Sequence, residues 1–120
     1  MWTWKQSAGE MWQSDEFIAH GYSGAGRGEN NPDYQSVPDQ GPIPCGQWSI
    51  VSLTVENTPH GPYVLHLVPG EQTNTFGRAG FLIHGDSIKE PGTASKGCII
   101  LPRPIRERIW ASGDRQLTVV

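Results

Sequence analysis

A histidine and a cysteine lie near each other in the sequence, in a pattern that can support nucleophilic catalysis. His84 ends the apolar run 81–84, and Cys98 opens the apolar run 98–101 after a loop that contains glycine and proline. A thiol is a weak nucleophile until it loses its proton, and an adjacent imidazole can take that proton. If the two runs are neighbouring strands, both side chains lie at one end of a sheet. The pattern therefore indicates a cysteine nucleophile with a histidine base.

The turn that leads into the cysteine has a composition suited to binding a negative charge. Ser95, Lys96 and Gly97 directly precede Cys98. Successive backbone N–H groups in a tight turn can converge on one point, as an oxyanion requires. The glycine lets a substrate approach closely, and a lysine directed at the site would favour the thiolate. The serine is expected to hold the turn.

A purely structural interpretation of the same residues stays open. Cysteine is often buried in protein cores, so Cys98 could be a core residue and His84 a hydrogen-bonded residue at a strand end. The histidines His20, His60, His66 and His84 show no paired ligand spacing. We therefore expect no metal site and no cofactor. His60 falls in a turn and is expected to be merely exposed.

The second cysteine has a different setting. Cys45 lies between Pro44 and Gly46, with no base nearby in the sequence. We interpret it as incidental to the chemistry, although a disulfide between Cys45 and Cys98 remains an alternative.

Short strands are the elements that must position these residues. Residues 2–6 and 10–13 predict a hairpin with a turn at 7–9 and a continuation near 17–18, whereas residues 21–44 are irregular. Further β-rich runs lie at 48–55, 63–68, 81–84, 98–101 and 117–120.

One helix is predicted near the C-terminus, over residues 102–111. Ile105 and Ile109 share one face, Arg106 and Arg108 lie away from it, and Gly113 can end the helix. We therefore predict an all-β fold with one short C-terminal helix.

Composition limits the chain to one domain, residues 1–120. A chain of 120 residues that is 36% hydrophobic can build a single core, and two domains of ordinary size would not fit. The 15 glycines and 10 prolines indicate many turns, and 5 tryptophans argue against disorder. A net charge of −3 without a basic stripe argues against nucleic-acid binding.

The sequence shows no membrane or export signal. No apolar run approaches the roughly 18–20 residues of a membrane helix. The first residues lack the charged-then-apolar pattern of a signal peptide. We expect no membrane partner and synthesis in the cytoplasm without a signal peptide.

The segment 84–98 resembles the signature of L,D-transpeptidases of the YkuD type, which is a histidine, a loop and then Ser/Thr-His-Gly-Cys. Ser95, Gly97 and Cys98 match that pattern, while Lys96 stands where histidine is common. Isoleucines occupy the places after the cysteine where arginine or asparagine is usual.

Several separated motifs resemble more closely the type VI secretion L,D-transpeptidase effectors. They are Gly-Tyr-Ser-Gly at 21–24, Gly-Pro-Ile-Pro-x-Gly at 41–46, Phe-Gly-Arg at 76–78, Gly-Phe-Leu-Ile-His-Gly-Asp at 80–86 and Ala-Ser-x-Gly-Cys-Ile-Ile at 94–100. The resemblance runs from about Trp4 to the C-terminus, so it covers nearly the whole chain.

This resemblance implies that the fold is an L,D-transpeptidase-like β-sandwich. It also implies an antibacterial toxin that acts on peptidoglycan stem peptides in the periplasm of a target cell. It implies acyl transfer through a cysteine thioester at the L,D bond between meso-diaminopimelate and D-alanine. Water as the acceptor gives L,D-carboxypeptidase activity, and a D-amino acid gives exchange. The implied partners are the type VI secretion machinery and a cognate immunity protein.

The expected site follows from the residues and the resemblance together. Cys98 is the expected nucleophile and His84 the base, and either Asp86 or the backbone of Gly85 is expected to orient the imidazole. Residues expected to contact the substrate or its carboxylates are Tyr22, Ser23, Arg78 and Lys96.

Two alternatives remain open at this point. One is a non-catalytic peptidoglycan-binding module in which the cysteine–histidine pair has lost its activity. The other is a cysteine amidase or endopeptidase that cuts a different stem-peptide bond.

Overall fold

The computed structural model describes all 120 residues and is built mainly from short strands. The strands are β1 (Trp2–Lys5), β2 (Glu10–Gln13), β3 (Glu16–His20), β4 (Tyr22–Ser23), β5 (Gly46–Thr54), β6 (Val64–Pro69), β7 (Leu82–His84), β8 (Ile99–Ile100) and β9 (Gln116–Val119). One helix, α1 (Arg103–Ala111), and two 3-10 turns, Gly26–Gly28 and Pro32–Tyr34, complete the chain. The prediction of an all-β fold with one short C-terminal helix is confirmed. No helix is long and apolar enough to cross a membrane.

All nine strands belong to one curved sheet, in the order β3-β2-β1-β9-β5-β6-β7-β8-β4. Laid flat, nine strands would span about 38 Å between the first and the last, yet the longest dimension of the molecule is 34 Å. The two edge strands, β3 and β4, are separated in the chain by Gly21 alone. The sheet therefore curls until its edges meet. A side chain at Gly21 would collide with the carbonyl oxygen of Ile100 on β8, so this junction needs glycine.

The predicted N-terminal hairpin is present and joins the sheet through the C-terminus. β1 pairs antiparallel with β2 and parallel with β9. Gly9 ends the intervening turn with φ +66°, in the left-handed region that favours glycine. The two ends of the chain thus lie side by side in the middle of the sheet.

One hydrophobic cluster fills the interior of the curved sheet. Its largest members are three tryptophans with at most 1% exposure, Trp2, Trp4 and Trp48. Burying a large side chain of this kind contributes about 3 kcal/mol, and β7 and β8 add Ile83 and Ile99 to the same core. The strand that ends in His84 and the strand that follows Cys98 are therefore both held in place by side chains packed in the core.

Helix α1 packs as predicted on one face but buries an unexpected arginine. Ile109 is fully buried and Ile105 packs against the core. The prediction that Arg106 lies away from the buried face is wrong, because Arg106 is only 4% exposed. Its guanidinium donates hydrogen bonds to the carbonyls of Leu101 and Tyr63. Buried carbonyls outside the sheet ladder need donors, and the arginine supplies them.

Candidate active site

Parallel pairing of β7 and β8 places the histidine and the cysteine on one face of the sheet. Ile83 pairs with Ile99, and His84 pairs with Ile100. Paired residues share a face, and so do residues two apart along a strand. Cys98 therefore projects to the same side as His84, opposite the buried side chains of Ile83 and Ile99.

A single open cleft of about 410 Å³ is lined by both side chains. Among the residues predicted to form a site, it is lined by His84, Cys98, Gly97, Lys96 and Arg78. Lys96 is exposed and lines the cleft.

The imidazole of His84 makes a single hydrogen bond, to a backbone carbonyl. Nδ1 lies 2.9 Å from the carbonyl oxygen of Gly85. Because a carbonyl can only accept, Nδ1 carries the hydrogen and Nε2 keeps the free lone pair of a base. Burial lowers the pKa of His84, and the nearby His60 and Arg106 lower it further, against the opposing effect of the Gly85 bond. The resting imidazole is therefore neutral near pH 7.

The thiol of Cys98 is also neutral at rest. Burial raises its pKa, while the backbone amide of Leu82 and the charge of Arg78 oppose that effect in part. The Sγ atom contacts the carbonyl oxygen of Gly80 at 3.7 Å and makes no hydrogen bond to His84 in this structure. Such bonds are often long until a substrate binds. The arrangement suits proton transfer during attack rather than a preformed ion pair.

Ser95 holds the turn before the cysteine through three hydrogen bonds. Its hydroxyl donates to the carbonyl of Cys98 at 2.6 Å and accepts from the backbone N–H groups of Gly97 at 3.1 Å and Gly24 at 2.8 Å. These are the contacts expected of a turn-holding residue. The Gly97 N–H is engaged by Ser95, whereas the N–H of Cys98 is unpaired and available to bind an oxyanion.

Ser23 supports the same turn from behind and does not line the cleft. Its side chain is fully buried. The hydroxyl donates to the carbonyl of Gly97 and accepts from the backbone N–H of Ile43, each at 2.8 Å. The structure thus gives Ser23 a supporting position where sequence reasoning expected substrate contact.

Tyr22 and Asp86 hold in place the loop that runs from β7 to the Cys98 turn. The Tyr22 hydroxyl donates to Oδ1 of Asp86 at 2.6 Å and accepts from the N–H of Ala94 at 3.0 Å. Asp86 also accepts from the N–H of Gly92, and it makes no hydrogen bond to His84. Of the two groups expected to orient the imidazole, only the Gly85 backbone contacts it.

The same hydrogen bonds fix the charge state of this pair. Burial and the bond to Asp86 raise the pKa of Tyr22 to about 12. Burial alone would raise the pKa of Asp86, but its hydrogen bonds with Tyr22 and the loop amides outweigh that effect and lower it. The tyrosine stays protonated and the aspartate ionised across the physiological range.

Arg78 is directed into the wall of the cleft rather than into its open space. Nη1 donates to the carbonyls of Gln35 and Pro42, and Nη2 donates to those of Gly41 and Lys96. Burial lowers its pKa without removing its charge. We expected Arg78 to contact the substrate. In the structure its guanidinium instead joins three segments of the cleft wall.

His60 is the cleft residue that sequence reasoning missed. It is exposed as expected, but its ring centroid lies 4.7 Å from that of His84 with an interplanar angle of 36°. The Thr-Pro-His-Gly composition at 58–61 indicates a turn and carries no sign of which part of the fold that turn contacts.

The two cysteines are not joined to each other. Cys45 and Cys98 are both free in this structure and form no disulfide.

The cleft lies in a region that matches a known protein family. A family model described as Tlde1 domain matches residues 17–120. None of the curated proteins compared with the chain gives a significant match. The matched range contains every cleft residue and leaves out residues 1–16, which hold β1, β2 and the first residue of β3. The chain therefore belongs to the Tlde1-domain family of type VI secretion L,D-transpeptidase effectors, which are secreted enzymes that target the peptidoglycan of other cells.

Proposed function

We propose that the protein is a cysteine L,D-carboxypeptidase and L,D-transpeptidase acting on peptidoglycan stem tetrapeptides. The bond it attacks joins the L-centre carbonyl of meso-diaminopimelate to the terminal D-alanine. Cys98 is the nucleophile and His84 the general base. The observation that carries the proposal is the shared cleft, in which a thiol lies on the same sheet face as an imidazole whose Nδ1 is held by Gly85.

The first half of the reaction forms a thioester. Nε2 of His84 accepts the thiol proton as Sγ of Cys98 bonds to the diaminopimelate carbonyl carbon. The carbonyl oxygen gains negative charge, and the free N–H of Cys98 stabilises it; one such donor contributes about 3 kcal/mol to lowering a barrier. The intermediate then expels the D-alanine amine, which takes the proton from His84.

The second half releases the stem peptide. An acceptor, either water or the amine of a D-amino acid, gives a proton to His84 and attacks the thioester carbon. The bond between that carbon and Sγ breaks, and the thiolate recovers its proton from the imidazolium. Water yields a tripeptide, and a D-amino acid yields a tetrapeptide with a new terminal residue.

Mass spectrometry of purified disaccharide-tetrapeptide tests the proposal. We expect the wild-type protein to remove one D-alanine, and both Cys98→Ala and Cys98→Ser to leave the substrate intact. Cys45→Ser is the matched control and should retain full activity. In the presence of an added D-amino acid, an exchanged tetrapeptide should appear. Cleavage at another bond, or equal products from the Cys98→Ala protein, would refute the proposed chemistry.

We also propose that the enzyme acts in the periplasm of the target cell and that producing cells hold an immunity protein there. The substrate bond lies in the cell wall, outside the cytoplasm. Expression of the chain fused to an export signal should lyse or deform a test bacterium, while the unfused chain and the exported Cys98→Ala protein should be tolerated. Equal toxicity of the unfused chain would exclude a periplasmic target.

A further inference from the structure

A second histidine covers one side of the proposed catalytic base. The rings of His60 and His84 lie 4.7 Å apart at a tilt of 36°, a separation typical of packed aromatic pairs. His60 lines the Cys98 cleft and also a neighbouring groove, and His84 lines both as well. It therefore lies where the two openings meet, against a side chain that is itself only 2% exposed.

The turn that carries His60 is held in place although the ring itself is exposed. Thr58 and Gly61 exchange two backbone hydrogen bonds, of 2.9 and 3.0 Å. The Thr58 hydroxyl also donates to the Gly61 carbonyl and accepts from the N–H of His60. Four hydrogen bonds within this turn thus fix the backbone around His60, which limits where the ring can go.

His84 itself is held in its ring plane by only one polar contact, Nδ1 with the Gly85 carbonyl. Rotation of the ring about its last torsion would break that contact and turn Nε2 away from the thiol side. Torsions of this type have broad energy wells, so the hydrogen bond alone does not fix the ring, and the rest of the restraint comes from the side chains packed around this buried residue. A ring packed against one face restricts the remaining freedom.

We propose that His60 is a positioning residue that holds the His84 imidazole, by ring-to-ring packing, in the orientation needed to accept the Cys98 proton. The proposal rests on the function proposed above, in that it assigns His84 as the base. It requires no proton transfer by His60 itself. An aromatic residue without a charge should therefore replace it, and a small residue should not.

The groups around His84 affect its pKa and therefore the pH at which it stops acting as a base. They are His60 in its turn, Arg106 from α1, Asp86 and the Gly85 carbonyl in the loop after β7, and Cys98 across the cleft. A positive charge on His60 lowers the pKa of His84. Removing that charge raises the pKa of His84. The base then becomes protonated, and the alkylation rate falls, at a higher pH than in the wild type.

The test measures two properties that do not need the natural substrate. The first is the rate at which iodoacetamide alkylates Cys98, followed across pH in a Cys45→Ser background. The second is the NMR titration of the His84 imidazole. The variants are His60→Phe, which keeps a ring, and His60→Ala, which removes it. His20→Ala is the matched control, because His20 is also exposed and stacks on an aromatic ring, Phe17, at 4.8 Å but lies outside the cleft.

We expect His60→Ala to slow alkylation about three- to tenfold at neutral pH, the bias that an aromatic pair exerts on a conformational equilibrium. His60→Phe should keep the wild-type rate at neutral pH while its acid limb moves to higher pH. His20→Ala should match the wild type, and melting curves should show all variants folded. An equal loss in the Phe and Ala proteins, or no loss in either, would overturn the proposal. Because neither readout uses a muropeptide, a wild-type protein inactive on tetrapeptide would refute the proposed function and leave this inference intact.

Discussion

Replacing Arg78 should separate the mechanical role of its guanidinium from its charge. Nη1 lies 2.7 and 2.8 Å from two carbonyl oxygens, and Nη2 lies 2.8 and 3.3 Å from two more. The guanidinium carbon also lies 5.1 Å from the ring centroid of Phe81. These contacts tie the segment 35–42, the segment 78–81 and the turn before Cys98 into one wall.

The size of the effect follows from the number of bonds lost. Arg78→Lys keeps the charge but offers a single nitrogen, which can reach at most two of the four carbonyls. At about 1 kcal/mol for each lost bond at this half-exposed position, Arg78→Lys should lower the free energy of unfolding by about 2 kcal/mol. For a chain of this length that corresponds to a fall in Tm of about 8 °C. Arg78→Met loses all four bonds and should cost about 4 kcal/mol.

The charge of Arg78 has a separate effect, on the Cys98 thiol, that Arg78→Lys and Arg78→Met can distinguish. The positive charge of Arg78 lowers the pKa of Cys98, so its removal in Arg78→Met should raise that pKa and slow alkylation of the thiol at neutral pH. Arg78→Lys should retain more of the wild-type rate. The assays are urea unfolding and iodoacetamide labelling in a Cys45→Ser background. If Arg78→Lys unfolds within about 0.5 kcal/mol of the wild type, the four carbonyl contacts do not hold the wall together and the reasoning fails.

Two further predictions concern the turn and loop that frame the cleft. A Cβ at position 97 would lie 2.5 Å from Nη2 of Arg78, at φ +141°, so Gly97→Ala should destabilise the fold by about 2 kcal/mol or more in urea unfolding. Gly92→Ala, at φ +88° with open space around it, is the control for backbone strain alone, and an equal loss in both would contradict the predicted collision. Tyr22→Phe removes the oxygen that binds the Ala94 amide, so hydrogen exchange at Ala94 should accelerate about tenfold while exchange at Leu101, bonded to the His84 carbonyl, stays slow. Unchanged protection at Ala94 would show that the tyrosine does not hold the loop.

Part of the site was accessible from local pattern alone. An apolar run ending in His84 and another beginning at Cys98 predict two strands, and the parallel pairing of β7 with β8 places both side chains on one face. The residues Ser95 to Gly97 similarly predict a turn, and two of the three hydrogen bonds of Ser95 join residues two or three positions apart. Such contacts leave a pattern in the sequence because the interacting residues are close along the chain.

The roles of Arg78, Ser23 and His60 left no such pattern. Arg78 binds carbonyls up to 43 positions away, and Ser23 binds the Gly97 carbonyl 74 positions away. A polar side chain read from sequence has the same donors whether it meets a substrate or a distant backbone. Which of the two it meets depends on how loops pack against each other, so sequence reasoning assigned both residues to the substrate.

The elements of the fold divide in the same way. The hairpin of β1 and β2, the glycine in its turn and the apolar face of α1 follow from side-chain alternation, backbone preference and helical spacing, which act over a few residues. The parallel pairing of β1 with β9 joins residues more than a hundred positions apart, and the meeting of the sheet edges at Gly21 depends on the curvature of all nine strands. Those features arise from the burial of one shared core, whose three tryptophans come from β1 and β5. The curved sheet then brings the distant Arg78 and His60 beside a thiol and an imidazole that the sequence had already paired.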